Sequence, residues 1–329
     1  MNISRTAVTR GLFRRFTILT VGLVTSAAVL AAGYPDHPIR LIVPYAAGGG
    51  TDIVARMLAQ RLTDSLGQQV IVENHAGAAT QSGTALVVRS APDGYTLLMG
   101  TANLATNAPL FAHLSYDAQK DLAPVSLVTT VPVYLFVAAS SPIKSVADLV
   151  ARSKTTTGGM SYATAGTGSI PHLAGEMFRA ETHADIVHIP YKGSSEAATS
   201  LIGGQVAFSL DNLPPLQAQL KAGKVRALAI AMPQRSSLLP SVPTLTELGH
   251  PIEAYSWWGV LAPAGTPVAV IERLNRDILA ALKPQEVRDR FKELGIEPVG
   301  STPAEFAAHI RVETIKWTKV VKAAGIQPE

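Results

Sequence analysis

A Ser-x-x-Lys motif, eight histidines and two glycine-rich turns are the parts of this chain with residue types that could do chemistry. Ser141-Pro-Ile-Lys144 has the spacing that sets a serine nucleophile beside a lysine in penicillin-binding enzymes, and Leu210-Asp211-Asn212 shares two residues with their Ser-Asp-Asn element. No Lys-Thr-Gly follows, and Ser141 precedes a proline in a turn instead of opening a helix, so chance accounts for the match. There is no Gly-x-Ser-x-Gly elbow. The histidines include no His-Glu-x-x-His; His183 and His188 flank a strand at odd spacing, which points them to opposite faces and disfavours a shared metal. Cysteine is absent, which removes thiolate nucleophiles, thiolate metal sites, disulfides and a lipidated cysteine. Neither a cofactor nor a metal is expected, and a secreted hydrolase stands only as an unfavoured alternative.

The glycine turns offer anion binding instead. Tyr45-Ala-Ala-Gly-Gly-Gly-Thr51-Asp52 lies between the apolar run Leu41-Ile42-Val43 and an amphipathic segment that puts Ile53, Val54, Met57, Leu58 and Leu62 on one face and stops at Gly67. A strand thus empties through a glycine loop into a helix, whose first N–H groups are unsatisfied and attract negative charge. The loop has no lysine before Thr51, so it is no Walker loop, and its spacing is not the dinucleotide fingerprint. Ser161-Tyr-Ala-Thr-Ala-Gly-Thr-Gly-Ser-Ile-Pro-His172 repeats the design: Ser169 caps, Pro171 suits a first turn, and Ile170, Leu173, Ala174, Met177 and Phe178 follow helical spacing.

Strands and helices alternate around both turns. Val70–Val72, Tyr95–Met99, Ile186–Tyr191, Val206–Leu210 and Val225–Met232 read as strands; 82–90, 146–154 and a segment through Ile202 read as helices, with Ser145 and Asp148 forming a capping box. Such alternation indicates parallel α/β sheets, with ligands beyond the carboxyl ends of the strands. There lie the first loop, the small-residue loop 73–80 and the strand end at Gly100-Thr101. Pro132 argues against one uninterrupted strand across the apolar stretch 123–139 and marks a crossover. The expected architecture is two α/β lobes, 34–130 with 254–329 and 131–253, joined by crossings near Thr130 and Ala254. Three helices close the chain, the last from Thr302 to about Ala324 with Gly325 as its stop.

Residues 1–33 read as a secretory signal. Arg5, Arg10, Arg14 and Arg15 precede the apolar stretch Phe16–Leu30, and Ala27, Ala28, Ala31, Ala32 and Gly33 supply small residues for cleavage. Arg14-Arg15 is a twin arginine, but Phe16-Thr17-Ile18 fits that route poorly, so the general route is expected. The stretch is short for a membrane span, which needs about 20 residues. Of 28 basic and 24 acidic residues, four basic and no acidic ones lie in this segment, which leaves 24 of each. The basic balance belongs to the signal, and nothing argues for nucleic acid. The exported chain should be free of the membrane, in the periplasm, and monomeric; its length, in a sequence of 47% apolar content overall, is ample for a large core.

Nine motifs in register carry a resemblance. Val43–Asp52, Val72-Glu-Asn74 with Gly77-Ala78, Ala91–Leu98, His172-Leu-Ala-Gly-Glu176, Pro190-Tyr-Lys-Gly193, Gly203-Gly-Gln-Val206 with Asp211, Lys221–Lys224, Val242-Pro-Thr244 and Leu261–Pro267 together resemble the Bug-type periplasmic solute-binding receptors of tripartite tricarboxylate transporters, across essentially the whole exported chain. The resemblance implies a two-lobed Venus-flytrap protein, each lobe a mostly parallel sheet flanked by helices. It would close on a small di-, tri- or aromatic carboxylate and present it to membrane permease subunits. The carboxylate would be held by backbone N–H groups and water instead of an arginine clamp. Matching positions place Ala46, Ala47, Gly48, Gly49, Thr51 and Asp52 in the first loop, Gly77, Ala78, Ala79 and Thr80 in the second, and Thr101 beside them. From the other lobe come Ala165, Gly166, Thr167, Gly168, Ser169 and His172, with Tyr191, Lys192, Gly193 and Asp211 behind. Ala78-Ala79-Thr80 stands where many relatives have Ala-Gly-Gly, so the ligand's identity does not transfer.

Bland readings stand beside these. Asp52 is equally a first-turn helix acid favoured by the dipole, His172 a structural histidine, Asp211 an acid that orients a neighbouring backbone, and Trp257-Trp258 packing at a lobe junction instead of a ligand platform. A receptor read by a membrane sensor, without transport, uses the same closed state and is the other alternative.

Overall fold

The computed structural model describes residues 33–323 and residue 326. The expected signal, apart from Gly33, and the expected helix stop at Gly325 lie outside the described residues.

The first alternation is β1 (Ile39–Val43), α1 (Gly50–Leu66), β2 (Val70–Asn74), α2 (Gln81–Val88), β3 (Thr96–Thr101) and α3 (Asn103–Leu110). β1 lies parallel between β2 and β3, and Ile39, Leu41, Ile42 and Val43 are all buried, the continuous apolar run of a strand covered on both faces. α1 packs Val54, Ala55, Leu58 and Leu62 into the same core as Leu41 and Val43, while Ile53 and Met57 are only part-buried. Gly67 ends it in the left-handed conformation, its N–H on the Thr63 carbonyl.

β4 (Leu122–Ala138) and α4 (Val146–Ser153) lead into the second alternation: β5 (Met160–Thr164), α5 (Ile170–Thr182), β6 (Ile186–Pro190), α6 (Ser194–Ile202) and β7 (Phe208–Asn212). Ser145 caps α4 by accepting from the Asp148 N–H at 3.1 Å, and Ser169 caps α5 by accepting from the His172 N–H at 3.3 Å. A 3-10 turn (Pro214–Leu216), α7 (Gln217–Lys221), β8 (Val225–Ile230), β9 (Tyr255–Pro263), α8 (Val268–Leu282), α9 (Gln285–Glu293), β10 (Glu297–Pro298) and α10 (Pro303–Ala323) complete the order. α10 opens on a reciprocal box, Glu305 N–H to Thr302 Oγ1 and Thr302 N–H to Glu305 Oε2. α3, α7 and β10 were not anticipated from the sequence.

The strands form one curled mixed sheet in the order β2-β1-β3-β9-β4-β7-β5-β6, with β8 and β10 also on β4. Three parallel strands lie at each end, and antiparallel β9 and β4 join them. Pro132 does not break β4, contrary to the sequence reading: the strand runs 17 residues straight through it. Up to Pro132 its partners are β9 and, at Thr129 and Thr130, β10, and from Val133 onward they are β7 and β8. The proline sits at the change of partners, where its missing N–H removes least from the ladder.

Candidate functional site

The carboxyl ends of β1, β3, β5 and β7 turn toward one narrow chamber of about 30 Å³, and α1, α3, α5 and α6 begin at its wall. Gly49 caps α1 in an extended conformation and Gly193 caps α6; neither start has a side-chain cap, so first-turn N–H groups remain unpaired by a cap. Thr51, Ser169, Ser194, Asn103, Asn212 and Ser256 add hydroxyls and amides, Trp258 an aromatic wall, and no charged residue lines the space. Oriented helix starts in a neutral wall favour an anion without a side-chain cation. Tyr45 and Ala165 lead on to an outer recess bounded by Ala78–Thr80, Ala165–Thr167, Tyr191 and Lys192.

The sequence-derived residues divide into three groups. Gly49, Thr51, Thr101, Ala165 and Ser169 line the chamber. Ala78, Ala79, Thr80, Gly166, Thr167, Tyr191 and Lys192 line the recess, which Ala165 shares. Ala46, Ala47, Gly48, Asp52, Gly168, His172, Gly193 and Asp211 line neither and instead shape or join the loops.

Several of that last group bridge the two glycine-loop systems. The Ala46 N–H donates to the Lys192 carbonyl at 3.3 Å, and Ser195 Oγ donates to the Ala47 carbonyl at 3.0 Å. A Cβ on Gly193 would stand 3.3 Å from that of Ala46. From α3, Asn103 Nδ2 donates to the Thr167 carbonyl and Thr106 Oγ1 to the Gly168 carbonyl. Gly168 is doubly constrained: its φ is +74°, and a Cβ would lie 3.0 Å from Asn107 Oδ1.

Asp52 is a loop brace. Oδ2 accepts from the Gly48 N–H at 2.9 Å and from Arg56 Nε at 3.0 Å, and Oδ1 accepts from Asn74 Nδ2 at 3.0 Å. Burial opposes its ionisation, but the Arg56, Gly48 and Asn74 hydrogen bonds outweigh that and hold it below the usual carboxylate range. His172 turns to a separate cavity shared with Glu176, Arg179 and His188. Its Nδ1 accepts from the Gly168 N–H at 3.2 Å and its ring stacks on His188 at 4.1 Å, so it shapes the loop from behind. Burial lowers both imidazoles, His188 to about 3 with His172 adding to the effect, and keeps them neutral. Trp257 and Trp258 divide the two readings: Trp257 packs edge-on against Phe306 inside the core, and Trp258 forms chamber wall.

Ala78, Ala79 and Thr80 hold φ of 45°, 50° and 72°, three successive left-handed residues that are not glycine. Each costs about 1–2 kcal/mol. The run is tied by the Gln81 N–H on the Ala78 carbonyl and by Asn107 Nδ2 on the Ala79 carbonyl at 2.9 Å. Asn103, Thr106, Asn107, Ser194 and Ser195 were not singled out from the sequence. Their signal was present: Asn103, Thr106 and Asn107 fall at i, i+3, i+4, on one helix face.

These features define the class: an α/β periplasmic-binding-protein fold with a chamber at the strand ends. Residues 54–326 match the family model described as the tripartite tricarboxylate transporter family receptor, and the chain belongs to that family. It is 40% identical over 328 residues to protein BugT of Bordetella pertussis (strain Tohama I), covering 99% of each chain. The solved periplasmic binding protein BugD superposes with a TM-score of 0.87 at 34% identity, over 90% of this chain and all of that one. R. palustris Rpa4515 with adipate gives the same TM-score, identity and coverage. These relatives are binding proteins and not enzymes. Among the described residues no helix is long and apolar enough to cross a membrane.

Proposed function

We propose that this protein is an extracytoplasmic receptor that shuts on a small carboxylate, di-, tri- or aromatic, and presents it to the permease subunits of a tripartite tricarboxylate transporter. The exported chain loses residues 1–33 and works as a soluble monomer of two lobes, 34–130 with 254–329 and 131–253. The carboxylate sits in the chamber on the free N–H groups that open α1 and α6, with Thr51, Ser169 and Ser194 hydroxyls and ordered water completing its shell. The rest of the ligand extends past Tyr45 and Ala165 toward Ala78–Thr80 and Lys192.

One observation carries this reading: four helices begin at the wall of a chamber that contains no ionised side chain. A neutral sugar would gain little from such a wall, whereas a carboxylate gains from each helix start, about 0.3–1 kcal/mol when exposed and more when enclosed. The adipate complex of a similar protein supports the same ligand class.

A thermal-shift panel of adipate, malate, citrate, aromatic carboxylates, amino acids and sugars tests it. At 100 times its dissociation constant a true ligand adds about 2.7 kcal/mol, which moves the midpoint by several degrees. One class of acid should do so without being consumed. A shift produced by sugars alone, or turnover of the acid, overturns the proposal.

A further inference from the structure

Asp211, the next-to-last residue of β7, has none of its surface exposed. Its Oδ1 accepts from Ser194 Oγ at 2.8 Å and from the Asn212 N–H at 2.7 Å, while Oδ2 is enclosed without any partner. Among the described residues it belongs to no ion pair. A carboxyl group with one idle buried oxygen and no counter-ion is biased toward its acid form. Consistent with that geometry, burial pushes Asp211 up to about 7 against the pull of the Ser194 and Asn212 hydrogen bonds.

Its enclosure is linked to the chamber. Both of its hydrogen-bond partners, Ser194 and Asn212, line that space. The first glycine loop lies over Ser194 from the opposite side: a Cβ on Gly49 would stand 3.7 Å from the Ser194 nitrogen, and Ser195 holds the Ala47 carbonyl. Withdrawing that loop lets water reach Ser194 and, through it, the carboxyl group. Filling the chamber with an anion adds a negative charge beside a group that already resists one.

We infer that the receptor captures its anionic ligand together with a proton, which closure transfers from solvent to Asp211. The step is a simple protonation of a carboxylate by bulk water's acid, and it rests on the receptor reading above. The groups that face Asp211 do not compete for the charge. α6 presents Ser194; β4 places Tyr134 opposite it in register; the first loop brings Tyr45. Burial holds both phenols in their protonated form, with Asp211 itself adding to the effect on Tyr45. The 3-10 turn and the 165–169 loop carry no ionisable side chain. Asp52 in α1 is turned to Gly48, Arg56 and Asn74, and His172 faces the cavity behind its loop.

Calorimetric titration with adipate in buffers of different ionisation enthalpy at pH 6.5 counts the protons. Wild type should take up about 0.5–1 proton per ligand more than Asp211→Asn, which reports the ligand's own titration alone. Relative to that variant, wild-type affinity should fall by up to about tenfold per pH unit between pH 5.5 and 7. Equal proton counts in the two proteins overturn the inference. So does loss of binding by a folded Asp211→Asn, because a neutral isostere of the acid form should bind at least as well. Should the variant not fold, infrared difference spectra of wild type with ¹³C-labelled adipate decide: a new protonated-carboxyl band on binding supports the inference, and its absence removes it. Adipate bound without proton exchange removes this inference only; no acid bound at all removes the receptor reading as well.

Discussion

Gly48, Gly49 and Gly50 are interchangeable letters in the sequence, yet a methyl group added to each meets a different obstacle. At Gly48 the problem is the backbone, held at φ +80°. At Gly49 the backbone is ordinary and the nearest atom is 3.7 Å away. At Gly50 the methyl would stand 2.7 Å from Trp258 Cη2, inside the chamber wall. Gly50→Ala should therefore cost about 1–3 kcal/mol of stability by overpacking and weaken ligand binding at least tenfold, whereas Gly49→Ala should unfold within about 0.5 kcal/mol of wild type. Denaturant titration and calorimetry of the two proteins check this, and equal stabilities would refute the packing argument. The glycine run announced close approach of something; what approaches is a tryptophan more than 200 positions along the chain, which local spacing does not encode. Asp52 shows the opposite case, since a first-turn acid beside glycines was legible and only its partners, Gly48, Arg56 and Asn74, needed the fold.

At the scale of elements, capped and strongly periodic helices were read within a residue or two. α1, α4, α5 and α10 each have a glycine stop, a serine or threonine cap, or an apolar stripe. α3 was missed because Asn103, Asn107 and Pro109 imitate a turn; Pro109 supplies no N–H to the Ala105 carbonyl, and the helix stops at Leu110. Its asparagines are linkers. Asn107 accepts from Asn103 Nδ2 and donates to the Ala79 carbonyl, holding the strained 78–80 run. Asn107→Ala would leave that carbonyl unpaired and free the run; a loss of about 1–3 kcal/mol is expected, measured as a lowered urea midpoint with unchanged slope. A midpoint equal to wild type would mean that the run is held by its own backbone bonds.

For the whole molecule, the two runs of alternating strands and helices were visible in the sequence, and the nine motifs in register carried the family. The continuity of the sheet was not visible, because a proline inside an apolar run reads equally as a break or as a boundary between neighbours. The contact between the two glycine-loop systems was not visible either, since it joins loops about 150 residues apart, such as Ser195 with Ala47. Ser195→Ala removes that hydrogen bond without touching the chamber lining. A bond worth about 0.5–1.5 kcal/mol should speed ligand release roughly 2–12-fold in stopped-flow measurements, with the association rate changed less. An unaltered release rate would mean that Ser195 does not help to keep the protein shut.

The path of β4 has a mechanical consequence. Because the same 17 residues pair with β9 on one side of Pro132 and with β7 and β8 on the other, a two-lobed movement of the kind proposed above would be hinged like two boards on a strip of leather, its crease where Pro132 supplies no donor to be broken. A small change of backbone angle at that crease is multiplied by its distance from the loop rims. If the protein shuts on its solute as proposed, the movement starts from a residue that does not line the chamber.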